Sequence, residues 1–225
     1  MDILRSDPDY LVINKPAGIG MHQEGEEPGL VRVLSERLGE SLYPVHRLDK
    51  MTTGVLLLAR NSAANRELSR QFAERSTRKW YLALSDSKPT KKQGLIKGDM
   101  EKARGGSWKL SRNLVNPAIT RFYSCLLADG TATGALRGFL LQPETGKTHQ
   151  LRVALKSQGS PILGDDRYGG TPADRGYLHA WQLQFEYGGE PVCVRAPLIS
   201  GQHFLTHGEQ LTAWADEVMA AKSER

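Results

Sequence analysis

Short apolar segments separated by turn residues dominate the chain. Residues 10–15 form a β-rich run that ends at a Pro-Ala-Gly turn, and residues 54–59 are almost wholly apolar, as in a buried strand. Further strands are predicted over residues 79–84, 119–127, 135–142, 178–187 and 191–196. Gly188-Gly189 between the last two is a two-residue hairpin signal.

A smaller number of segments have helical spacing. Leu30, Leu34 and Leu38 recur every four residues between Pro28 and Gly39. Other helices are predicted after a cap at Asn61 or Ser62, over 147–157, and over about 207–222. Many antiparallel strands with few helices between them predict an α+β fold, and we expect one catalytic domain over residues 1–225.

Residues 88–113 differ from the rest because they combine many Lys and Arg residues with little apolar content. The sequence therefore predicts a mobile basic loop or a loose hairpin there.

Composition narrows the class of protein. With 225 residues, 39% of them hydrophobic, the chain can bury a proper core, which excludes a disordered tail and a small disulfide scaffold. No apolar run approaches the roughly 20 residues that cross a membrane. Cys125 and Cys193 lie far apart, which favours a reduced, cytoplasmic setting. The net charge of +5 only weakly favours a polyanionic partner.

Several common functional motifs are missing. The sequence has neither Gly-x-Gly-x-x-Gly nor a complete phosphate-binding loop, so nucleotide hydrolysis is disfavoured. The zinc-deaminase combination of His-x-Glu with Pro-Cys-x-x-Cys is also absent. We expect no metal and no cofactor.

The most unusual stretch lies just before the buried strand, where His46-Arg47-Leu48-Asp49 is followed by Thr52-Thr53-Gly54. A loop at the mouth of a rigid sheet is a usual place for a reactive carboxylate. On residue chemistry alone, a surface turn in which Asp49 caps backbone amides is the stronger alternative.

The motif His46-Arg47-Leu48-Asp49 resembles that of the RluA-type pseudouridine synthases. Other segments resemble that family's motifs in the same order, over residues 9 to about 197: Asp9–Gly18, Lys79–Ala83, Thr145–Arg152, Leu163–Gly169 and Leu178-His179-Ala180. The chain begins at the catalytic domain, so we expect no N-terminal S4-like RNA-binding domain. The resemblance implies a largely antiparallel mixed sheet with flanking helices and a central basic active-site cleft.

The resemblance also implies the reaction, in which uracil leaves its ribose, turns, and is rejoined through carbon instead of nitrogen. Asp49 is then the catalytic carboxylate, as nucleophile or as base on the sugar. Arg152 is its cationic partner, and Tyr81 stacks on the base and assists proton removal from carbon 5. The alternatives are a surface-helix arginine for Arg152 and a half-buried strand tyrosine for Tyr81.

The expected partner is RNA, in the form of a ribosomal or transfer RNA stem-loop with a flipped-out uridine, bound by a monomer. By resemblance Arg47 fills the space that the base leaves, although a phosphate contact is an equal alternative. Further candidate RNA contacts are His46, Lys15, Lys147, Thr148, His149, Lys92, Lys97 and Arg104. The rival hypothesis is a non-catalytic RNA-binding or ribosome-assembly factor on the same fold.

Overall fold

A computed structural model describes residues 2–23, 25–131 and 134–223. Within these ranges the strands are, in chain order, β1 (Asp2–Ser6), β2 (Tyr10–Lys15), β3 (Tyr43–Pro44), β4 (Thr53–Ala59), β5 (Arg78–Ser85), β6 (Gln93–Gly98), β7 (Met100–Lys102), β8 (Trp108–Leu110), β9 (Ala118–Thr131), β10 (Gly134–Pro143), β11 (Leu178–Tyr187) and β12 (Glu190–Arg195). The helices of the same part of the chain are α1 (Leu30–Leu38), α2 (Ser62–Ala73), α3 (Gln150–Ser157) and α4 (Gln202–Ser223). The α+β class is confirmed.

The chain forms two compact units. The first contains the chain up to Tyr81 together with Leu178–Pro197, and the second contains Leu82–Tyr177 together with the chain from Leu198 onward. The expectation of a single catalytic domain stays a prediction. No helix in the described ranges is long and apolar enough to cross a membrane.

The first unit is built on a mixed sheet in which β1, β2, β4, β11 and β12 follow one another. Strand β2 runs antiparallel to β4, whereas β11 runs parallel to β4 with His179 opposite Thr53. Alternate residues of β4 face opposite sides: Val55 and Leu57 pack in one apolar cluster, and Leu56 and Leu58 in another. Helix α2 covers the first face and α1 the second, which explains why β4 is apolar throughout.

The second unit is built on the long antiparallel pair β9–β10, with β6 on the other edge of β9. Helix α4 packs closely on this sheet at Gly138, where a Cβ atom would lie 2.5 Å from Leu211 Cδ1. Strands β7 and β8 form a separate hairpin. Helix α3 is buried from Gln150 to Leu155.

Most predicted elements are confirmed, including the cap of α2, where the Asn61 side chain accepts a hydrogen bond from Ala64 N. Two helix starts were predicted wrongly. Helix α4 begins at Gln202 rather than near residue 207. Helix α3 begins at Gln150 rather than Lys147, because His149 adopts the left-handed conformation with φ 55°.

Residues 88–113 were expected to form a basic loop or a loose hairpin. The hairpin is present as β7–β8, but residues 93–98 belong to the sheet as β6. Ile96 is buried while Lys97 is exposed, so the strand has one apolar and one charged face.

Candidate active site

The segment between β3 and β4 carries the predicted catalytic carboxylate. Leu48 is buried in the apolar cluster on the α1 face of the sheet, which anchors this segment. On either side of it, Arg47 is exposed and Asp49 is partly exposed. The amide of Thr52 donates to the Asp49 carbonyl at 3.0 Å and closes a turn. The sequence thus forms a short rigid loop that presents a carboxylate.

The side chain of Lys15 holds this loop in place through hydrogen bonds to main-chain carbonyls. Its side chain is fully buried, and its Nζ donates to the carbonyls of Pro16, Lys50 and Thr52 at 2.9, 3.2 and 2.9 Å. This geometry corrects the expectation that Lys15 contacts RNA, because its ammonium group is enclosed and satisfied by main-chain carbonyls.

The strand that follows the loop is fixed by a close approach to β11. Gly54 has φ 107°, and a Cβ atom there would lie 2.1 Å from the Ala180 carbonyl oxygen, so a side chain cannot be accommodated. Beside it, Thr53 Oγ1 lies 2.7 Å from His179 Nδ1, and His179 Nε2 lies 3.0 Å from the Ala196 carbonyl. These contacts give a structural reason for the Thr53-Gly54 and His179-Ala180 motifs.

Tyr81 lies near the carboxylate of Asp49. Burial, and then the negative charge of Asp49, raise the pKa of Tyr81 well above its usual range. Its ring is partly buried against the same apolar cluster that holds Leu48. The phenol therefore stays protonated at neutral pH beside the candidate catalytic carboxylate.

The side chain of His46 makes contacts within the fold. Its Nε2 accepts a hydrogen bond from Leu57 N at 3.0 Å, and its ring stacks on Phe72 at 4.6 Å. Burial and the nearby charge of Lys79 lower the pKa of His46 to about 3. Because its acceptor nitrogen is engaged by β4 and its ring is neutral, the expectation that His46 binds RNA is not supported by its geometry.

Arg152, in the second unit, forms an ion pair that the sequence analysis did not identify. Its Nε and Nη2 donate to the two carboxylate oxygens of Asp165, both at 2.7 Å, and both side chains are buried. The guanidinium also lies over the ring of Tyr168, 4.9 Å from the centroid. This arrangement holds Arg152 in one orientation.

Tyr168 joins Arg152 to two other segments. Its hydroxyl lies 2.8 Å from His149 Nδ1 and accepts a hydrogen bond from Trp108 N at 3.0 Å. His149 and Arg152 thus contact the same ring, although His149 precedes the first turn of α3. The signal for Tyr168 and Asp165 was present, since both lie in the Leu163–Gly169 motif, but nothing in the sequence connected them to Arg152.

The turn before α3 is organised by the side chain of Gln150. Its Oε1 accepts hydrogen bonds from Thr145 Oγ1 at 2.7 Å and from Lys147 N at 2.9 Å. Lys147 Nζ in turn donates to Asn116 Oδ1 at 2.9 Å. Lys147 and Thr148 line a pocket at the surface of the second unit, a position compatible with RNA contact.

The remaining candidate contacts are Lys92, Lys97 and Arg104. All are exposed: Lys92 precedes β6, Lys97 lies on it, and Arg104 lies in the turn of the β7–β8 hairpin. Their contact with RNA phosphates stays a prediction.

Comparison with known proteins identifies the family. Residues 9–157 match the family model described as RNA pseudouridylate synthase. An uncharacterized RNA pseudouridine synthase of Haemophilus influenzae is 46% identical over 227 residues, covering 99% of both chains. The dual-specificity RNA pseudouridine synthase RluA of Escherichia coli is 34% identical over 87% of this chain and 92% of its own length.

Solved structures agree with this match. A human protein described as RNA pseudouridylate synthase domain containing 1 has a TM-score of 0.74 and 29% identity, covering 88% of this chain and 84% of its own. A second human protein, described as RNA pseudouridylate synthase domain containing 4, has a TM-score of 0.72 and 25% identity, covering 93% of this chain and 92% of its own. The pseudouridine-synthase-like fold is confirmed, and the chain belongs to the RNA pseudouridine synthase family of RNA isomerases.

Proposed function

We propose that the chain isomerises selected uridines of structured RNA to pseudouridine with Asp49 as its essential carboxylate. One observation carries this assignment: Asp49 stands, partly exposed, on a loop that buried Lys15 fixes, close enough to Tyr81 for its charge to raise the phenol pKa. A purely RNA-binding protein has no need of a carboxylate held beside an aromatic ring in this way.

The carboxylate must be ionised in either form of the chemistry. As a nucleophile it attacks the anomeric carbon, and as a base it removes a proton from the neighbouring sugar carbon. We propose that Arg152 acts as a cationic catalytic residue in this chemistry. Its rigid placement by Asp165 and Tyr168 supports this role, because a preorganised cation costs little to orient during the reaction.

Tyr81 is proposed to stack on the target base. Its raised pKa keeps the phenol protonated while Asp49 is ionised, and the protonated phenol cannot act as a base. A step that neutralises Asp49 removes part of the cause of that shift and lowers the pKa of Tyr81. Asp49 is the smaller of the two causes, and burial still raises the pKa of Tyr81 when that charge is lost. We propose that Tyr81 assists proton removal from carbon 5 in a late step of the reaction.

The RNA is proposed to reach the site as a stem-loop with the target uridine flipped out. Arg47 is exposed beside Asp49, so it is placed to occupy the space of the extruded base. Lys147, Thr148 and His149 are proposed as contacts from the second unit. Lys92, Lys97 and Arg104 are proposed as backbone contacts.

The names of relatives bear on the substrate. A relative from Rickettsia bellii is called ribosomal large subunit pseudouridine synthase C, and the Escherichia coli relative is called dual-specificity. We propose ribosomal or transfer RNA as the substrate class, acted on by a monomer in the cytoplasm.

Tritium release tests the proposal. Carbon 5 of uracil loses its hydrogen when it bonds to the ribose, so RNA labelled with tritium at uridine carbon 5 releases label to water with each turnover. The wild type should release tritium from labelled total RNA, as should Glu36→Gln, which changes an exposed carboxylate on α1. Asp49→Asn should release none. Release by Asp49→Asn at the wild-type rate would overturn the assignment of Asp49, and no release by the wild type would favour a non-catalytic RNA-binding factor.

A further inference from the structure

The second unit contains a pocket of about 540 Å³ that Asp49, Tyr81 and Arg152 do not line. It lies between the β7–β8 hairpin, the segment at residues 115–116 and the turn at 146–148. This volume lies in the range of small-ligand sites, so one nucleotide fits within it. We propose that the pocket binds one unpaired nucleobase of the RNA substrate, other than the uridine that is isomerised. This inference rests on the proposed function.

The apolar part of the wall suits a planar ring. Met100 and Trp108 line the pocket and lie on the same face of the hairpin, because Trp108 pairs with Lys102, two residues from Met100. Val115 also lines it and is 91% exposed. An aromatic side chain beside exposed apolar surface is what single-stranded nucleic-acid sites use to stack a base.

The polar part of the wall presents hydrogen-bond donors. Lys147 Nζ donates to Asn116 Oδ1 at 2.9 Å, and since an ammonium group cannot accept, this contact fixes the orientation of the amide. Asn116 Nδ2 is thereby directed away from Lys147 with donors for the acceptor atoms of a base edge. Lys147 also places a positive charge at the pocket, where the phosphate of a bound nucleotide would be attracted.

Two acidic residues line the same pocket, and both are engaged. The Asp99 carboxylate accepts hydrogen bonds from Val115 N at 3.1 Å and from Asn116 N at 2.9 Å. Glu101 pairs with Lys109 at 3.2 Å. Asp99 therefore holds the wall that carries Asn116 in place, and the charge of Glu101 is offset by a neighbouring cation.

The pocket is also connected to the candidate catalytic arginine. The Trp108 amide donates to the Tyr168 hydroxyl, and Arg152 lies over the Tyr168 ring. A base stacked on Trp108 would thus be linked to Arg152 through Tyr168. Such an arrangement favours an RNA ligand that engages both the pocket and Arg152 over an unrelated small molecule.

Binding of two oligonucleotides tests the proposal. The first is a fluorescein-labelled ten-residue oligoadenylate, which contains no uridine, and the second is an abasic ribose-phosphate chain of equal length. Wild type should bind the oligoadenylate more tightly than the abasic chain. Trp108→Ala should weaken oligoadenylate binding roughly tenfold, as expected when one base can no longer stack, and leave abasic binding unchanged. Trp108→Phe should keep most of the affinity, and Leu95→Ala, an exposed apolar control outside the pocket, should change neither.

A second variant covers the case in which Trp108→Ala disrupts the hairpin. Asn116→Ala keeps the indole and should weaken oligoadenylate binding several-fold without affecting the abasic chain. Equal losses of affinity for both oligonucleotides, or no loss of affinity in either variant, would overturn the proposal. If wild type releases tritium but shows no base dependence at Trp108, the pocket inference alone fails. If the base dependence holds without tritium release, the proposed function alone fails.

Discussion

Arg152 and Asp165 form a bidentate ion pair, with both N···O distances at 2.7 Å and the two side chains 8% and 1% exposed. Two buried charges of opposite sign, each satisfied by the other, are tolerated in a protein interior, whereas either charge alone is not. The first consequence of removing Arg152 is therefore an unpaired carboxylate at Asp165. This effect on stability must be separated from any effect on catalysis.

A single variant and a double variant separate the two roles. Arg152→Ala should lower the free energy of unfolding by about 3–5 kcal/mol, because it leaves Asp165 buried without its cation. Arg152→Leu combined with Asp165→Leu should recover most of that stability but should remain inactive in tritium release. Chemical denaturation and the release assay measure the two quantities. Activity near the wild-type level in the double variant would show that Arg152 serves only the fold.

Lys15 should be essential to the geometry of the Asp49 loop. Lys15→Met keeps the apolar stem but leaves the carbonyls of Pro16, Lys50 and Thr52 without their donor, so we expect a decrease of roughly 2–4 kcal/mol in unfolding free energy. The turnover rate should fall as well.

Lys50→Ala is the matched control for this prediction. Lys50 is an exposed lysine of the same loop, paired with Glu27, and its replacement should cost no more than about 1 kcal/mol. A small effect of Lys15→Met, equal to that of Lys50→Ala, would contradict the supporting role of the buried ammonium group.

His46 should make stability depend on acidity. The folded protein holds the pKa of His46 at about 3, against an ordinary value of 6.5, so between these values the unfolded chain binds more protons. The stability that neutral, buried His46 contributes to the fold is therefore fully present above pH 6.5, and it is lost as the pH falls towards 3. At pH 5 the protonation of the unfolded chain should cost about 2 kcal/mol of stability relative to neutral pH.

His46→Gln tests this pH dependence, because glutamine keeps an acceptor for Leu57 N but does not titrate. Urea unfolding at pH 7 and pH 5 should show a smaller loss of stability in the variant than in the wild type. Parallel losses of stability in the two proteins would show that another group titrates.

Much of the fold could be predicted from the sequence because the local signals agree with the final structure. The apolar run of β4 and the Asn61 cap of α2 each reflect a rule that acts within a few residues. The segment 93–98 was predicted wrongly because its charge suggested a solvated loop. The segment instead pairs with β9 in the sheet. The side chain of Ile96 is buried there, between two exposed neighbours in sequence.

The site was predicted less completely than the fold. Lys15 and His46 are residue types that usually face water, and only the three-dimensional structure shows that carbonyls surround one and that β4 engages the other. The partner of Arg152 lies 13 residues away in sequence and is reached through a tertiary contact. Local pattern carries no information about such a pair.

The basic residues near β6 and the β7–β8 hairpin should contribute to RNA affinity through phosphates. Replacing Lys92, Lys97 and Arg104 with Gln should reduce the salt dependence of RNA binding by about 0.7–0.9 units for each phosphate that is no longer neutralised. The KM should rise more than kcat falls.

A control variant with the same change in net charge makes this result specific. Arg37, Arg66 and Arg70 are exposed on α1 and α2, and their triple replacement with Gln should leave the salt slope near the wild-type value. Equal slopes for the two triple variants would show that net charge alone sets the affinity.

Pseudouridine mapping of total RNA tests the central claim most directly. Cells that carry the gene, cells that lack it, and deleted cells supplied with either the wild type or Asp49→Asn should be compared. We expect one or a few uridines to lose pseudouridine in the deletion, to regain it with the wild type, and to stay unmodified with Asp49→Asn. Restoration of those sites by Asp49→Asn, or an unchanged map in the deletion, would contradict the assignment of Asp49 as the catalytic carboxylate of an RNA uridine isomerase.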